Sequence, residues 1–160
     1  MANLKSVLVV EDNEDDIFIL KRAWQRAAIR NPLEVLTDGQ QALDYLSRMG
    51  RFANRDCTSA PCLMLLDIKL PYLSGLDVLQ WLRSSGPCPT LAVVFLTASN
   101  NRSDIERAYQ FGGNAYVIKP STSEKLAEML EDLKDFWMKH NEFPPWQIFG
   151  SNPPDDTFTA

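Results

Sequence analysis

Five short apolar runs punctuate the chain, at about residues 6–10, 33–36, 62–66, 92–96 and 115–118. They are rich in Val, Leu and Ile and too short for helices, so they read as strands buried on both faces, as in parallel sheets. The segments between them carry apolar residues at helical spacing. The expected architecture is therefore α/β, a doubly wound parallel sheet of five strands with helices on both sides.

The first helix is expected over about 14–28, with Ile17, Leu20 and Trp24 inward and Asp15 and Asp16 in its first turn, where the helix dipole favours acids. The second spans about 38–49, with Asp38 as its cap, Ala42, Leu43 and Leu46 on one face, and Gly50 at its end. Helix three starts near Ser74 and presents Leu76, Leu79 and Leu82 before Ser84-Ser85-Gly86-Pro87 breaks it. Helix four starts near Ser103, places Ile105, Ala108 and Tyr109 on one face, and stops at Gly112-Gly113. Helix five follows Pro120, has Ser123 as cap, and carries a wide stripe of Leu126, Met129, Leu130, Leu133, Phe136 and Trp137. The stretch 50–61 is a polar loop, longer than most connections of its kind.

Polar residues stand where four of the strand runs stop: Glu11-Asp12, Asp67, Thr97 and Lys119. Ligands of open α/β sheets bind beyond the carboxyl ends of the strands, so these side chains are expected to meet in one crevice. A carboxylate there, Asp67, can act as nucleophile toward a phosphoryl group. Such transfer needs charge neutralisation, and Glu11 and Asp12 beside Asp67 suit Mg²⁺, a hard cation that takes carboxylates and phosphate oxygens. Lys119 offers a compact positive charge, and Thr97 a hydroxyl able to bond the same phosphoryl group. The Lys119-Pro120 bond is a candidate cis bond that would turn the lysine inward.

Bulk properties narrow the classes. The 160 residues are enough for one domain with a real core, and the net charge of −5 with no basic stripe speaks against a nucleic-acid binder. The first apolar run is far shorter than the roughly 20 residues a membrane span requires, so the expectation is a cytoplasmic chain with no membrane segment. Three cysteines read as reduced thiols, and Cys57, Cys62 and the single His140 lack the spacing of a zinc site. After Asn141 the composition turns to proline and aromatics, with Pro144-Pro145 and Pro153-Pro154 ruling out a helix. The expected division is a body over 1–140 and a Pro-rich tail over 141–160, with Phe143, Trp146, Ile148 and Phe149 costly to leave in water and no further domain attached.

The segments Val-Leu-Val-Val-Glu-Asp-Asn, Leu-Met-Leu-Leu-Asp-Ile-Lys-Leu-Pro, Val-Val-Phe-Leu-Thr-Ala-Ser and Tyr-Val-Ile-Lys-Pro resemble the signature segments of response-regulator receiver domains, from about Lys5 to His140. The resemblance implies a flavodoxin-like (βα)5 fold with strand order 2-1-3-4-5. It implies Asp67 as phosphoacceptor for a sensor histidine kinase in a two-component system, so a phosphoacceptor protein rather than an enzyme. Glu11, Asp12, Asp67 and the Lys69 carbonyl would serve Mg²⁺, and Lys119 the phosphoryl oxygens. Thr97 and Tyr116 would form the switch pair that alters protein contacts, while Lys69 and Ser99 flank the attacking water and tune turnover.

Asn-Arg-Ser-Asp-Ile-Glu-Arg-Ala-Tyr, Asn114-Ala115-Tyr116, Phe136-Trp137 and the Pro-rich end are similar to the stand-alone regulators that serve bacterial phytochromes. That similarity implies a phytochrome-type kinase as partner and a homodimer through helix four, strand five and helix five, with Phe136, Trp137 and the tail in the interface. A phosphate sink without an output of its own is the variant reading. Two rivals fit less well. An aspartyl-nucleophile phosphohydrolase usually carries a second Asp two residues on, where this chain has Lys69, and a nucleotide binder needs a Gly-rich loop where Glu11-Asp12-Asn13 stands.

Overall fold

The computed structural model describes residues 4–56 and 60–144. Strands β1 (Val7–Val10), β2 (Leu33–Leu36), β3 (Leu63–Leu66), β4 (Ala92–Thr97) and β5 (Ala115–Ile118) form one parallel sheet in the order β2-β1-β3-β4-β5. The helices are α1 (Glu14–Arg26), α2 (Gly39–Ser47), α3 (Gly75–Ser84), α4 (Arg102–Gln110) and α5 (Ser123–Leu133). This is the expected flavodoxin-like (βα)5 fold.

Strand alternation divides the core in two. Leu8, Val10, Met64, Leu66, Val93 and Phe95 point toward α2, α3 and α4, where Leu46, Leu79, Leu82 and Ala108 meet them. Val7, Val9, Leu63, Leu65 and Val94 face the other way, against Leu20 and Trp24 of α1 and Leu126 and Leu130 of α5. Each central strand is thus buried on both faces, which is why its sequence shows no polar alternation.

Several helix ends differ from expectation. Helix α2 stops at Ser47 because Arg48, two residues before the expected Gly50, takes the left-handed conformation (φ 56°) and caps it, and Gly50–Phe52 forms a short 3₁₀ turn inside the 50–61 loop. Arg55 there stacks its guanidinium 4.0 Å from the Tyr45 ring and donates to the Tyr45 carbonyl, so this loop caps α2. Helix α5 is capped by Thr122 rather than Ser123, since the Thr122 hydroxyl is the one that accepts from the Lys125 N–H. Tyr109, expected on the inner face of α4, is half exposed, leaving Ala108 as that helix's buried residue.

Beyond Leu133 the helix continues as π-helical turns over Lys134–His140. The two neighbouring aromatics lie on different sides of it: Trp137 packs on the α1–α5 cluster, while Phe136 is 55% exposed with its ring edge-on to Trp137. Phe143 also packs on that cluster. The expectations for Cys57, Trp146, Ile148 and Phe149 lie outside the described residues; Cys62 and Cys88 are free thiols.

Candidate functional site

The chain leaves β1 through Glu11, whose N–H donates to the Leu36 carbonyl (2.9 Å), and leaves β3 through Asp67, whose N–H donates to the Val10 carbonyl (3.1 Å). Ladder bonds therefore fix both acids at the carboxyl edge of the sheet. Asn13 secures the first loop twice over. Its N–H donates to Glu11 Oε1 (3.0 Å), and its side chain accepts from the Asp16 N–H (2.9 Å), capping α1. Behind Asp67 the backbone folds back so closely that a Cβ on Gly75 would lie 2.1 Å from the Asp67 carbonyl oxygen. Only glycine fits there.

Glu11, Asp12 and Asp67 each bring a carboxylate oxygen within 4.8 Å of the others, Glu11 and Asp67 being buried and Asp12 exposed. Lys119 enters from the far side. Its N–H donates to the Thr97 carbonyl (2.8 Å), and its ammonium bonds Glu11 Oε2, Asp16 Oδ2 (2.8 Å) and Asp67 Oδ2 (3.4 Å). The Lys119-Pro120 peptide is trans, contrary to expectation, because the described backbone contains no cis bond; three carboxylates are sufficient to draw the ammonium inward.

Burial raises the Glu11 carboxyl above the usual range, against the opposing pull of its bonds from Lys119 and Asn13, with the Asp67 charge adding to the rise. Burial also works against the Lys119 ammonium, but Asp16, Glu11 and Asp67 outweigh it and push that pKa above its ordinary value. One cation is thus shared by more negative charge than it neutralises.

Thr97 is the last residue of β4, 1% exposed, and its hydroxyl accepts from the Ser99 N–H (3.3 Å). Tyr116, half-buried on β5, lies with its ring 5.9 Å from that of Phe95, and its phenol donates to the Ser99 carbonyl (2.9 Å). A cleft of about 500 Å³ opens onto Asp12, Asp67, Lys69, Thr97, Ser99 and Lys119 together, with Lys69 exposed at its edge.

Every expected site residue except Phe136 and Trp137 borders this cleft or touches a residue that does. Sequence reasoning missed Asn13, Asp16, Gly75 and Asp104. Asp16 was visible in principle, since a helix beginning at Glu14 brings it round toward Glu11 and Asp12 within one turn. Asp104 carried no sequence signal.

The family model for the response regulator receiver domain matches residues 7–131. The chain belongs to this family. It is 37% identical over 138 residues to the probable methanogenesis regulatory protein FilR2 of Methanothrix harundinacea, covering 86% of each chain. It is 29% identical to the response regulator Rcp1 of Synechocystis, whose Mn²⁺-bound form superposes with a TM-score of 0.78 over 88% of this chain and 99% of that one. The phosphorylated cyanobacterial phytochrome response regulator RcpA gives a TM-score of 0.80 at 30% identity, over 89% of this chain and 99% of its own. The chain is accordingly a receiver-domain response regulator of two-component systems. Among the described residues no helix is long and apolar enough to cross a membrane.

Proposed function

We propose that this chain accepts a phosphoryl group on Asp67 from a phosphohistidine of a sensor kinase and signals by changed protein contacts. The observation that carries this reading is the Glu11, Asp12 and Asp67 carboxylate triplet facing the Lys119 ammonium at one edge of the sheet. The donor set fits Mg²⁺, because it consists of hard anionic oxygens without a single nitrogen or sulfur ligand. Glu11, Asp12, Asp67 and the Lys69 carbonyl would hold it. The bound dication supplies the charge neutralisation that three carboxylates and an incoming phosphate require.

The Asp67 carboxylate attacks phosphorus, the N–P bond of the donor histidine breaks, and its electron pair stays on the imidazole. Lys119 turns its ammonium toward the phosphoryl oxygens, and the Thr97 hydroxyl, whose oxygen already accepts from Ser99, uses its proton to bond the same group. Tyr116, tied to the Ser99 carbonyl beside Thr97, carries the change to α4, β5 and α5. The chain is in this reading a phosphoacceptor, with Lys69 and Ser99 bordering the path of the water that ends the signal. RcpA, named for phytochrome and phosphorylation, and the Mn²⁺-bound form of Rcp1 support a phytochrome-type kinase as partner and a divalent cation as cofactor.

Tyr109 of α4 and Ile118 of edge strand β5 are about half exposed, as is Phe136 in the turns that continue α5, and these apolar side chains support a homodimer through the α4, β5 and α5 face. Sedimentation should show a dimer that Phe136→Ala weakens. For the chemistry, incubation with Mg²⁺ and acetyl phosphate should add one phosphoryl mass, and Asp67→Asn should abolish it. Turnover of many phosphoesters without an adduct would instead indicate a hydrolase.

A further inference from the structure

Ser99 is held by four bonds. Its N–H donates to Thr97 Oγ1 (3.3 Å), its carbonyl accepts from the Tyr116 phenol (2.9 Å), its hydroxyl accepts from the Asn101 N–H (3.3 Å), and it donates its proton to Asp104 Oδ2 at 2.7 Å. A serine hydroxyl has one proton and two lone pairs. With the proton on Asp104 and one lone pair on Asn101, a single lone pair remains. Ser99 and Asp104 both border the cleft that holds Asp67, Thr97 and Lys119.

We propose that Asp104, in the first turn of α4, is a positioning residue that shortens the life of the phosphoryl group on Asp67 by fixing the Ser99 hydroxyl as a hydrogen-bond acceptor toward the cleft. The inference rests on Asp67 being the phosphoacceptor. A water that hydrolyses the acyl phosphate must present its own lone pair to phosphorus, and it does so when its protons are accepted from the side away from phosphorus. The Ser99 oxygen is an acceptor of that kind. The water oxygen bonds to phosphorus as the bond from phosphorus to the Asp67 oxygen breaks. The electron pair returns to the carboxylate, and both water protons leave on the dihydrogen phosphate product.

Without Asp104 the hydroxyl rotates freely, and beside a phosphoryl group its best partner is an anionic oxygen. Ser99 then becomes a donor to the group it should help to remove, and the acceptor for water is lost. A purely structural part for Asp104 is the alternative, because acids at the third position of a helix commonly cap its first turn. Here, however, the Asn101 N–H that such a cap would bind is taken by Ser99 Oγ, and Asp104 bonds the same hydroxyl.

The test labels the protein with acetyl phosphate and Mg²⁺, removes the donor by rapid desalting, and follows loss of the phosphoryl mass. Ser99→Ala and Asp104→Ala should each slow decay on the order of tenfold, the double variant no further, while Asp104→Asn, whose amide oxygen still accepts from Ser99, stays within about twofold of wild type. Decay of Asp104→Ala at the wild-type rate, or of Asp104→Asn as slowly as Asp104→Ala, overturns the proposal.

A second measurement needs neither label nor metal. In the unphosphorylated protein the Ser99 hydroxyl proton should exchange slowly enough to be seen by NMR and should vanish in Asp104→Ala; its absence from wild type also overturns the proposal. A wild type that shows this proton but takes no label on Asp67 overturns the reading of the site itself, and the lifetime role with it.

Discussion

The centre and the edge of the sheet contribute differently to one site. Strands β1 and β3 are buried along their whole length and each is hydrogen-bonded to a neighbour on both sides, and they end in Glu11, Asp12 and Asp67. Strand β5 is bonded to β4 alone, its residues are half-buried or exposed, and it supplies Tyr116 and then Lys119. A strand locked on two sides cannot yield without breaking the core, whereas an edge strand has room to repack. The three carboxylates are thus on the rigid part, and Tyr116 and Lys119, to which the proposed function gives a response, are on the part that can move, while Thr97 closes the buried strand β4 between them.

That contrast can be broken by measurement. The largest effect is expected in the core: Phe95→Ala should cost about 3–5 kcal/mol in urea unfolding, against less than about 2 for Val117→Ala on β5. Equal losses would erase the distinction between centre and edge.

Next comes the cation that joins them. Lys119→Met removes the one ammonium that, among the described residues, bonds Glu11 and Asp67, and should destabilise the metal-free protein by about 3 kcal/mol, with millimolar Mg²⁺ restoring most of the loss. A variant as stable as wild type without Mg²⁺ would mean that the carboxylates are adequately hydrated.

Tyr116→Phe deletes only the bond to the Ser99 carbonyl and should cost about 1 kcal/mol, leaving labelling by acetyl phosphate intact. Loss of labelling would place the phenol in the chemistry rather than in the response.

The smallest effect concerns the thiols on either side of the sheet. Burial pushes both Cys62 and Cys88 up to about 11 from the usual 9.0. Their folded-state pKa values are raised, so the stabilisation they contribute is complete below pH 9 and fades as pH climbs toward 11. Peptide mapping should find both nearly unmodified by iodoacetamide at pH 8, and the unfolding midpoint should decline between pH 9 and 11. A flat profile across that window would show that the thiols are solvated.

Much of this was legible in the chain. Runs such as Leu63-Met64-Leu65-Leu66 are apolar at every position because helices cover both faces of the strand, and that pattern separates a central parallel strand from a half-exposed one. The four polar stops followed from the same logic, since a parallel sheet brings the carboxyl ends of its strands to one edge. The helix ends were less legible: Arg48 adopts a conformation usually left to glycine, and Thr122 outcompetes Ser123 as a cap, because neighbouring loops decide which local bond is available. Trp137 and Phe136, adjacent in sequence, part company because successive residues of a helix point about 100° apart, so one side of the turn meets the α1–α5 cluster and the other does not.

Sequence alone determined the fold class, the strand order implied by family resemblance, and which residue types gather at the edge of the sheet. It did so because periodicity and the ends of apolar runs are local properties. Only the tertiary structure decided that Asp16 joins Glu11 and Asp67 on the Lys119 ammonium, that Gly75 sits too close to Asp67 for any side chain, and that Asp104 holds the Ser99 hydroxyl. The first is a contact between segments far apart in the chain, and the other two depend on how the β3–α3 connection folds back on the end of β3 and the β4–α4 connection on the first turn of α4; none of them shows in the pattern of apolar and polar residues.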